Sequence, residues 1–86
     1  MPELSRFFCI VILMYYRDHP PPHFHARYGE HEAKFSIENG KLIEGYLPKR
    51  AASLIREWYG LHVDELWAAW NAAADRQTPN HIAPLE

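Results

Sequence analysis

Two histidines separated by one residue are the side chains of this chain best suited to chemistry. His23 and His25 follow three consecutive prolines, and Arg27 continues the same spacing. Because side chains alternate across a β-strand, this spacing predicts that all three point to one side of a strand. The opposite side would then belong to a core and would carry three apolar or aromatic residues: Phe24, Ala26 and Tyr28.

Metal binding is one chemistry that this pair of histidines fits. Residues at i and i+2 of a strand lie roughly 6.5–7 Å apart on the same side, so their imidazoles can share one zinc ion. Zinc needs three or four ligands, and a third would have to come from His19, from His31 or from a carboxylate such as Asp18. The candidate metal ligands are therefore His19, His23 and His25. The sequence requires no cofactor, and zinc is the ion that these residues suit.

Proton transfer is a second interpretation of the same residues. Two imidazoles titrate near neutral pH, and Arg27 would supply a cation for developing negative charge. Metal-independent RNA cleavage uses such a set, with His23, His25 and Arg27 as the catalytic candidates. Arg17 and the neighbouring tyrosines would hold phosphates and stack on an unpaired base.

A protein-binding surface is the third interpretation and the leading one, and whether the protein is an enzyme stays open. Histidine, arginine and tyrosine are favoured anchors in protein interfaces. All three interpretations depend on the two imidazoles sharing an orientation on the strand and being reachable from solvent. The surface would comprise six residues: Arg17, His19, His23, His25, Arg27 and Tyr28.

Composition places the chain among small folded domains. Its 86 residues predict a single domain over residues 1–86, and a hydrophobic share of 48% with 14% aromatic residues suits a compact core. A net charge of −2 gives no overall attraction to nucleic acid, so RNA binding would have to be local. Cys9 is the single cysteine, which excludes an intramolecular disulfide and favours a cytoplasmic location.

Hydrophobic patterning predicts the first three strands of a sheet. The apolar run at residues 7–16 predicts a central strand buried on both faces, in which Cys9 is an inert packing residue. This run is too short to span a bilayer, so no membrane association is expected. Residues 23–28 and 31–38 predict two further strands, and the second of these alternates between a buried and a wet face.

A hairpin and two helices are predicted to follow. Asn39 and Gly40 tolerate positive φ and predict a type I′ turn, with a fourth strand at residues 41–46. Pro48 suits the first position of a helix, and Gly60 is predicted to cap that helix. The second helix is predicted to begin near His62 and to end before residues 78–80.

These elements together predict an α+β domain in two layers. A small antiparallel sheet of about four strands would be covered on one side by two packed helices, with a short extended C-terminal tail at residues 81–85. The three tryptophans occur at helical spacing and are assigned to the core, whereas the basic residues near the first helix are assigned to a solvated face. Any tryptophan area that stays exposed would favour a homodimer or a permanent partner.

Five stretches of the chain carry a family resemblance: residues 2–8 (PELSRFF), 14–19 (MYYRDH), 21–26 (PPHFHA), 47–51 (LPKRA) and 82–85 (IAPL). With them the chain resembles a widespread bacterial family, domain-of-unknown-function family 4160. Pro20 departs from the pattern, in which a variable polar residue is expected. The resemblance implies a partner, namely a second small protein encoded nearby, in a toxin–antitoxin-like or regulatory pair. It implies no catalytic residue and no metal.

Overall fold

The computed structural model describes residues 3–86, which form a five-stranded antiparallel sheet followed by two helices. In chain order the elements are β1 (Glu3–Phe7), β2 (Ile10–Leu13), β3 (His23–Tyr28), β4 (His31–Ser36), β5 (Leu42–Gly45), α1 (Lys49–Leu61) and α2 (Val63–Ala74). The strands lie side by side in the same order, so β3 is central and β5 forms one edge. The predicted α+β fold class is confirmed, with five strands instead of about four.

The apolar run at residues 7–16 contains the turn and the second strand of a hairpin, and the prediction of one continuous central strand was wrong. Phe8 and Cys9 adopt left-handed backbone, with φ of 47° and 65°, and reverse the chain so that Phe7 pairs with Ile10. Hydrophobic patterning does not disclose a turn whose own residues are apolar. Phe8 is consequently exposed, and Cys9 is exposed as well instead of packing in the core.

Aromatic packing joins the sheet to the helices and the tail. Phe24 of β3 stacks on Phe35 of β4 and meets the ring of Trp58 from α1 edge-on. Trp58 is fully buried and donates from Nε1 to the carbonyl of Ala83 at 2.9 Å. The backbone N–H of Ile82 also donates to a carbonyl of β1. These bonds hold the predicted extended tail against the domain.

The hairpin between β4 and β5 lies where it was predicted, but its turn is not of type I′. Of Asn39 and Gly40, only the glycine has a positive φ, at 73°. Two hydrogen bonds of 2.9 Å close the loop. The N–H of Gly40 donates to the carbonyl of Ser36, and the N–H of Ser36 donates to the carbonyl of Lys41. A Cβ at Gly40 would lie 2.7 Å from the ring of Tyr59, so glycine is required for space as well.

The helices begin near the predicted residues, and α1 ends later than predicted. Pro48 immediately precedes α1, but Gly60 lies inside this helix and does not cap it. Helix α2 has Asp64 and Glu65 in its first turn, where carboxylates complement the helix dipole. Among residues 3–86, no helix has the length and apolar character needed to cross a membrane.

Tyr59 of α1 provides a test of this packing. Its hydroxyl donates to the carbonyl of Ile37 at 2.6 Å, and burial raises the pKa of Tyr59. We expect Tyr59→Phe to lower the free energy of unfolding by about 1 kcal/mol, measured by urea denaturation at neutral pH. Because the unfolded tyrosine ionises near pH ~10 and the folded one ionises only at higher pH, wild-type stability should fall above that pH. The variant should show a shallower alkaline decline, and identical curves would contradict the assignment.

Candidate metal centre

Asp18 lies over the two histidines of β3. The loop after β2 places its Oδ2 atom 2.9 Å from Nε2 of His23 and 3.1 Å from Nε2 of His25. The two imidazoles share one face of the strand, as their spacing predicted, with ring centroids 5.0 Å apart. One ligand atom from each of the three residues lies within 4.8 Å of the other two. The structure therefore gathers two imidazoles and a carboxylate at one point.

Both imidazoles of this group are almost enclosed. His23 and His25 are each 4% exposed, so the expectation that solvent reaches them is wrong. The ring of Tyr15 lies over His25 with centroids 4.1 Å apart, and Trp70 of α2 lies 5.4 Å from His23. The aromatic cover and the loop that carries Asp18 together remove the two imidazoles from bulk water.

The hydrogen bonds of His23 define which of its nitrogens carries the proton. Nδ1 donates to the carbonyl oxygen of Pro21 at 2.7 Å. In a neutral ring, Nε2 then presents a lone pair to the Asp18 carboxylate 2.9 Å away, and two electron-rich atoms face each other. A second ring proton or a cation shared by the two atoms makes this contact favourable. Histidines that bind metals commonly donate their other N–H to a backbone carbonyl in this way.

His25 has a carboxylate behind its second nitrogen. Its Nδ1 atom is buried and lacks a hydrogen-bond partner within the described chain, but Oε2 of Glu32 lies 3.5 Å away. The hydroxyl of Tyr15 donates to Oε2 of Glu32 at 3.4 Å, and Nε of Arg27 donates to Oε1 at 3.4 Å. Burial, together with the charge of Glu32, raises the pKa of Tyr15. These contacts hold Glu32 where it can orient the His25 ring.

Asp18 is stabilised in its ionised form. Partial burial by itself raises the pKa of this carboxyl. Hydrogen bonds from His25 and from the backbone N–H of His19 lower the pKa, and the charge and hydrogen bond of His23 lower it as well. The balance places the pKa of Asp18 below its ordinary value. His19 contributes its backbone N–H to Asp18 at 2.8 Å, while its side chain is exposed and is not part of the group.

The other sequence candidates are separated from this group. Arg27 continues the histidine face but is paired with Glu32, and Tyr28 lies on the opposite face against the core. Arg17 lies exposed in the loop. Glu32 was not among the predicted site residues, although it lies on β4 as the cross-strand neighbour of Arg27.

A small cavity opens beside the group. It has a volume of about 240 Å³ and is bounded by Asp18 and His23, by the prolines of the loop, and by Lys34 of β4 and Glu44 of β5. Lys34 and Glu44 approach each other at 3.9 Å. The cavity gives a water molecule or a small ligand room next to the carboxylate.

The fold and the site define a small α+β domain with an enclosed group of two histidines and one aspartate. Residues 9–71 match the family described as a domain of unknown function (DUF4160), so the chain belongs to that family, as its sequence resemblance had indicated. Comparisons with curated proteins and with solved structures gave no match.

Proposed function

We propose that this protein binds one divalent transition-metal ion through Asp18, His23 and His25, and that zinc is the ion that fits best. The observation that carries the proposal is the convergence of both Nε2 atoms on a single carboxylate oxygen. Two imidazoles with one carboxylate are a known zinc ligand set that leaves a fourth position open. Calcium and magnesium prefer oxygen ligands, so the two nitrogen ligands select against them.

The two distances from Asp18 to the imidazoles suit a metal after a small expansion. Zinc bonds of about 2.0–2.1 Å in a tetrahedron separate the ligand atoms by about 3.3 Å. The oxygen-to-nitrogen distances of 2.9 and 3.1 Å would therefore lengthen by a few tenths of an ångström. Asp18 lies in a loop, so this adjustment leaves the paired strands in place.

The surroundings favour a metal that also binds an external ligand. The cavity beside Asp18 has room for a water molecule as the fourth ligand, and three protein ligands with one open position are typical of catalytic zinc sites. Zinc in such a position supplies a bound hydroxide for hydrolysis. The acid–base interpretation receives less support, because both imidazoles bind Asp18 and are almost fully buried.

Metal titration of the purified protein tests this proposal. The protein should be prepared without a histidine tag, stripped with a chelator, and titrated with zinc by calorimetry. We expect one equivalent of zinc per chain, and cobalt(II) should give the visible absorption of a tetrahedral site. His23→Asn and His25→Asn should each abolish the tight site, whereas His81→Asn should bind like the wild type because His81 is exposed and outside the group. Absence of stoichiometric binding, or equal loss in the His81 control, would overturn the proposal.

Glu32 gives a subtler prediction about the same site. Glu32→Gln removes the charge behind Nδ1 of His25, so we expect the zinc affinity to fall by about tenfold, as measured by competition with a chelating dye. Glu30→Gln is the matched control, because Glu30 is exposed in the turn between β3 and β4 and makes no ion pair within residues 3–86. An equal effect in both variants would mean that Glu32 acts only through general electrostatics.

We also propose a protein partner as a second candidate function, carried by β5 rather than by the histidines. Leu42 and Ile43 of this edge strand are 43% and 44% exposed, and Tyr46 immediately after it is 63% exposed. An edge strand offers unpaired backbone groups to an added strand, and apolar side chains strengthen such pairing. Co-expression with a protein encoded beside it tests this candidate. A 1:1 complex should form and should be lost in Ile43→Lys but retained in Leu61→Lys, whose exposed side chain lies on α1.

A further inference from the structure

Two arginines from distant parts of the chain meet at the C-terminal end of α2. The backbone N–H groups of Arg17 and Arg76 both donate to the carbonyl of Ala73, at 3.2 and 3.1 Å. Both arginines have left-handed backbone, with φ of 50° and 59°. Their side chains line one surface cleft of about 490 Å³ together with Tyr16.

Arg76 has the left-handed backbone conformation that glycine usually adopts just after a helix. The N–H of Arg76 bonds to the carbonyl of Ala73, and the N–H of Gln77 bonds to the carbonyl of Ala72 at 2.8 Å, which is the Schellman pattern at the end of a helix. Left-handed backbone is unfavourable for a residue that has a side chain. Arg17 in the loop has the same unfavourable backbone conformation. Strained residues of this kind cluster at sites that use their side chains.

The charges in this cleft are unbalanced. Neither Arg17 nor Arg76 forms an ion pair with any carboxylate of the described residues, and both are exposed. Two guanidinium groups without a carboxylate partner attract an anion in spite of the partial negative charge at the end of α2, and their planar forks match the oxygens of a phosphate. The cleft therefore has the charge and the type of donor that bind a phosphate group.

Tyr16 adds an aromatic surface to the same cleft. Its side chain is 42% exposed, and its hydroxyl lies 3.5 Å from Oγ1 of Thr78, which limits rotation of the ring. An exposed tyrosine ring beside cations is a stacking platform for a nucleic-acid base. The cleft is open to solvent, and its volume of about 490 Å³ is larger than a phosphate ion needs.

We propose that Tyr16, Arg17 and Arg76 form a binding site for a nucleoside monophosphate, in which the arginines hold the phosphate and Tyr16 stacks on the base. None of the three belongs to the metal group, so the proposal does not depend on the metal function. A His23→Asn variant without zinc should still bind the nucleotide.

Calorimetric titration with AMP, ribose 5-phosphate, adenosine and inorganic phosphate tests the proposal. AMP should bind once per chain and about tenfold more tightly than either ribose 5-phosphate or adenosine, because only AMP engages both the arginines and the ring. Arg17→Gln should weaken AMP binding by about tenfold or more. Arg50→Gln, an exposed arginine on α1, should bind like the wild type.

Arg76→Gly separates a binding role from a structural one. Glycine relieves the left-handed backbone after α2, so the melting temperature should rise by a few degrees while AMP affinity falls by about tenfold or more. A purely structural Arg76 would leave the AMP affinity unchanged. The proposal is overturned if Arg17→Gln and Arg76→Gly both retain AMP affinity, or if Arg50→Gln weakens it equally. It is also overturned if AMP binds no better than ribose 5-phosphate.

Discussion

Zinc affinity should fall by about a hundredfold or more when Asp18 is replaced by asparagine, while the fold persists. Asparagine keeps the size of the side chain but removes the charge that faces both Nε2 atoms. Loss of an outer-shell partner alone typically costs 10–100-fold in metal affinity, so loss of an anionic ligand should cost at least as much. Because Asp18 lies in the loop outside the sheet, circular dichroism should show unchanged secondary structure.

The control for this prediction is Asp75→Asn. Asp75 follows α2, is exposed, and lies outside the metal group. Replacing Asp75 changes the net charge by the same amount as replacing Asp18. The comparison therefore separates the effect of a charge next to the histidines from the effect of the net charge of the protein. If Asp18→Asn bound zinc with wild-type affinity under the same salt conditions, Asp18 would not be a ligand of the metal.

Gly45→Ala should produce the largest loss of stability, about 3 kcal/mol or more in the free energy of unfolding. Gly45 ends β5 with φ of 88°, and an added Cβ would lie 2.3 Å from the carbonyl oxygen of Glu32 and 2.9 Å from Cα of Ala33. Both contacts are with backbone atoms of β4, so rotation of a side chain cannot relieve them. The variant must separate β5 from β4, and zinc affinity should fall as well because Glu32 moves.

Alanine substitutions at two other glycines separate the cost of backbone strain from the cost of steric clash. Gly29→Ala introduces a side chain at φ of 60° in open space, so it should cost only about 1 kcal/mol. Gly60→Ala lies inside α1, also in open space, and should stabilise the protein by about 0.5–1 kcal/mol. Urea denaturation of the three variants gives the comparison. Equal losses for Gly45→Ala and Gly29→Ala would contradict the predicted clash.

The alternation of side chains determined the part of the site that lies on β3. The spacing of His23 and His25 predicts a shared face, because a strand presents every second residue to the same side. Phe24 on the other face packs against α1 for the same reason. Helical spacing likewise predicted both helices. Local backbone geometry is sufficient for each of these predictions.

Only the tertiary structure decided what surrounds that face. The apolar residues Phe8 and Cys9 form a turn by adopting backbone that composition does not signal. The path of a loop brings Asp18, rather than His19, onto the histidines. Strand pairing places Glu32 behind His25, and the end of α2 brings Arg76 to Arg17. These contacts join residues through loops and packed elements, whose geometry depends on the whole fold and follows no periodicity along the chain.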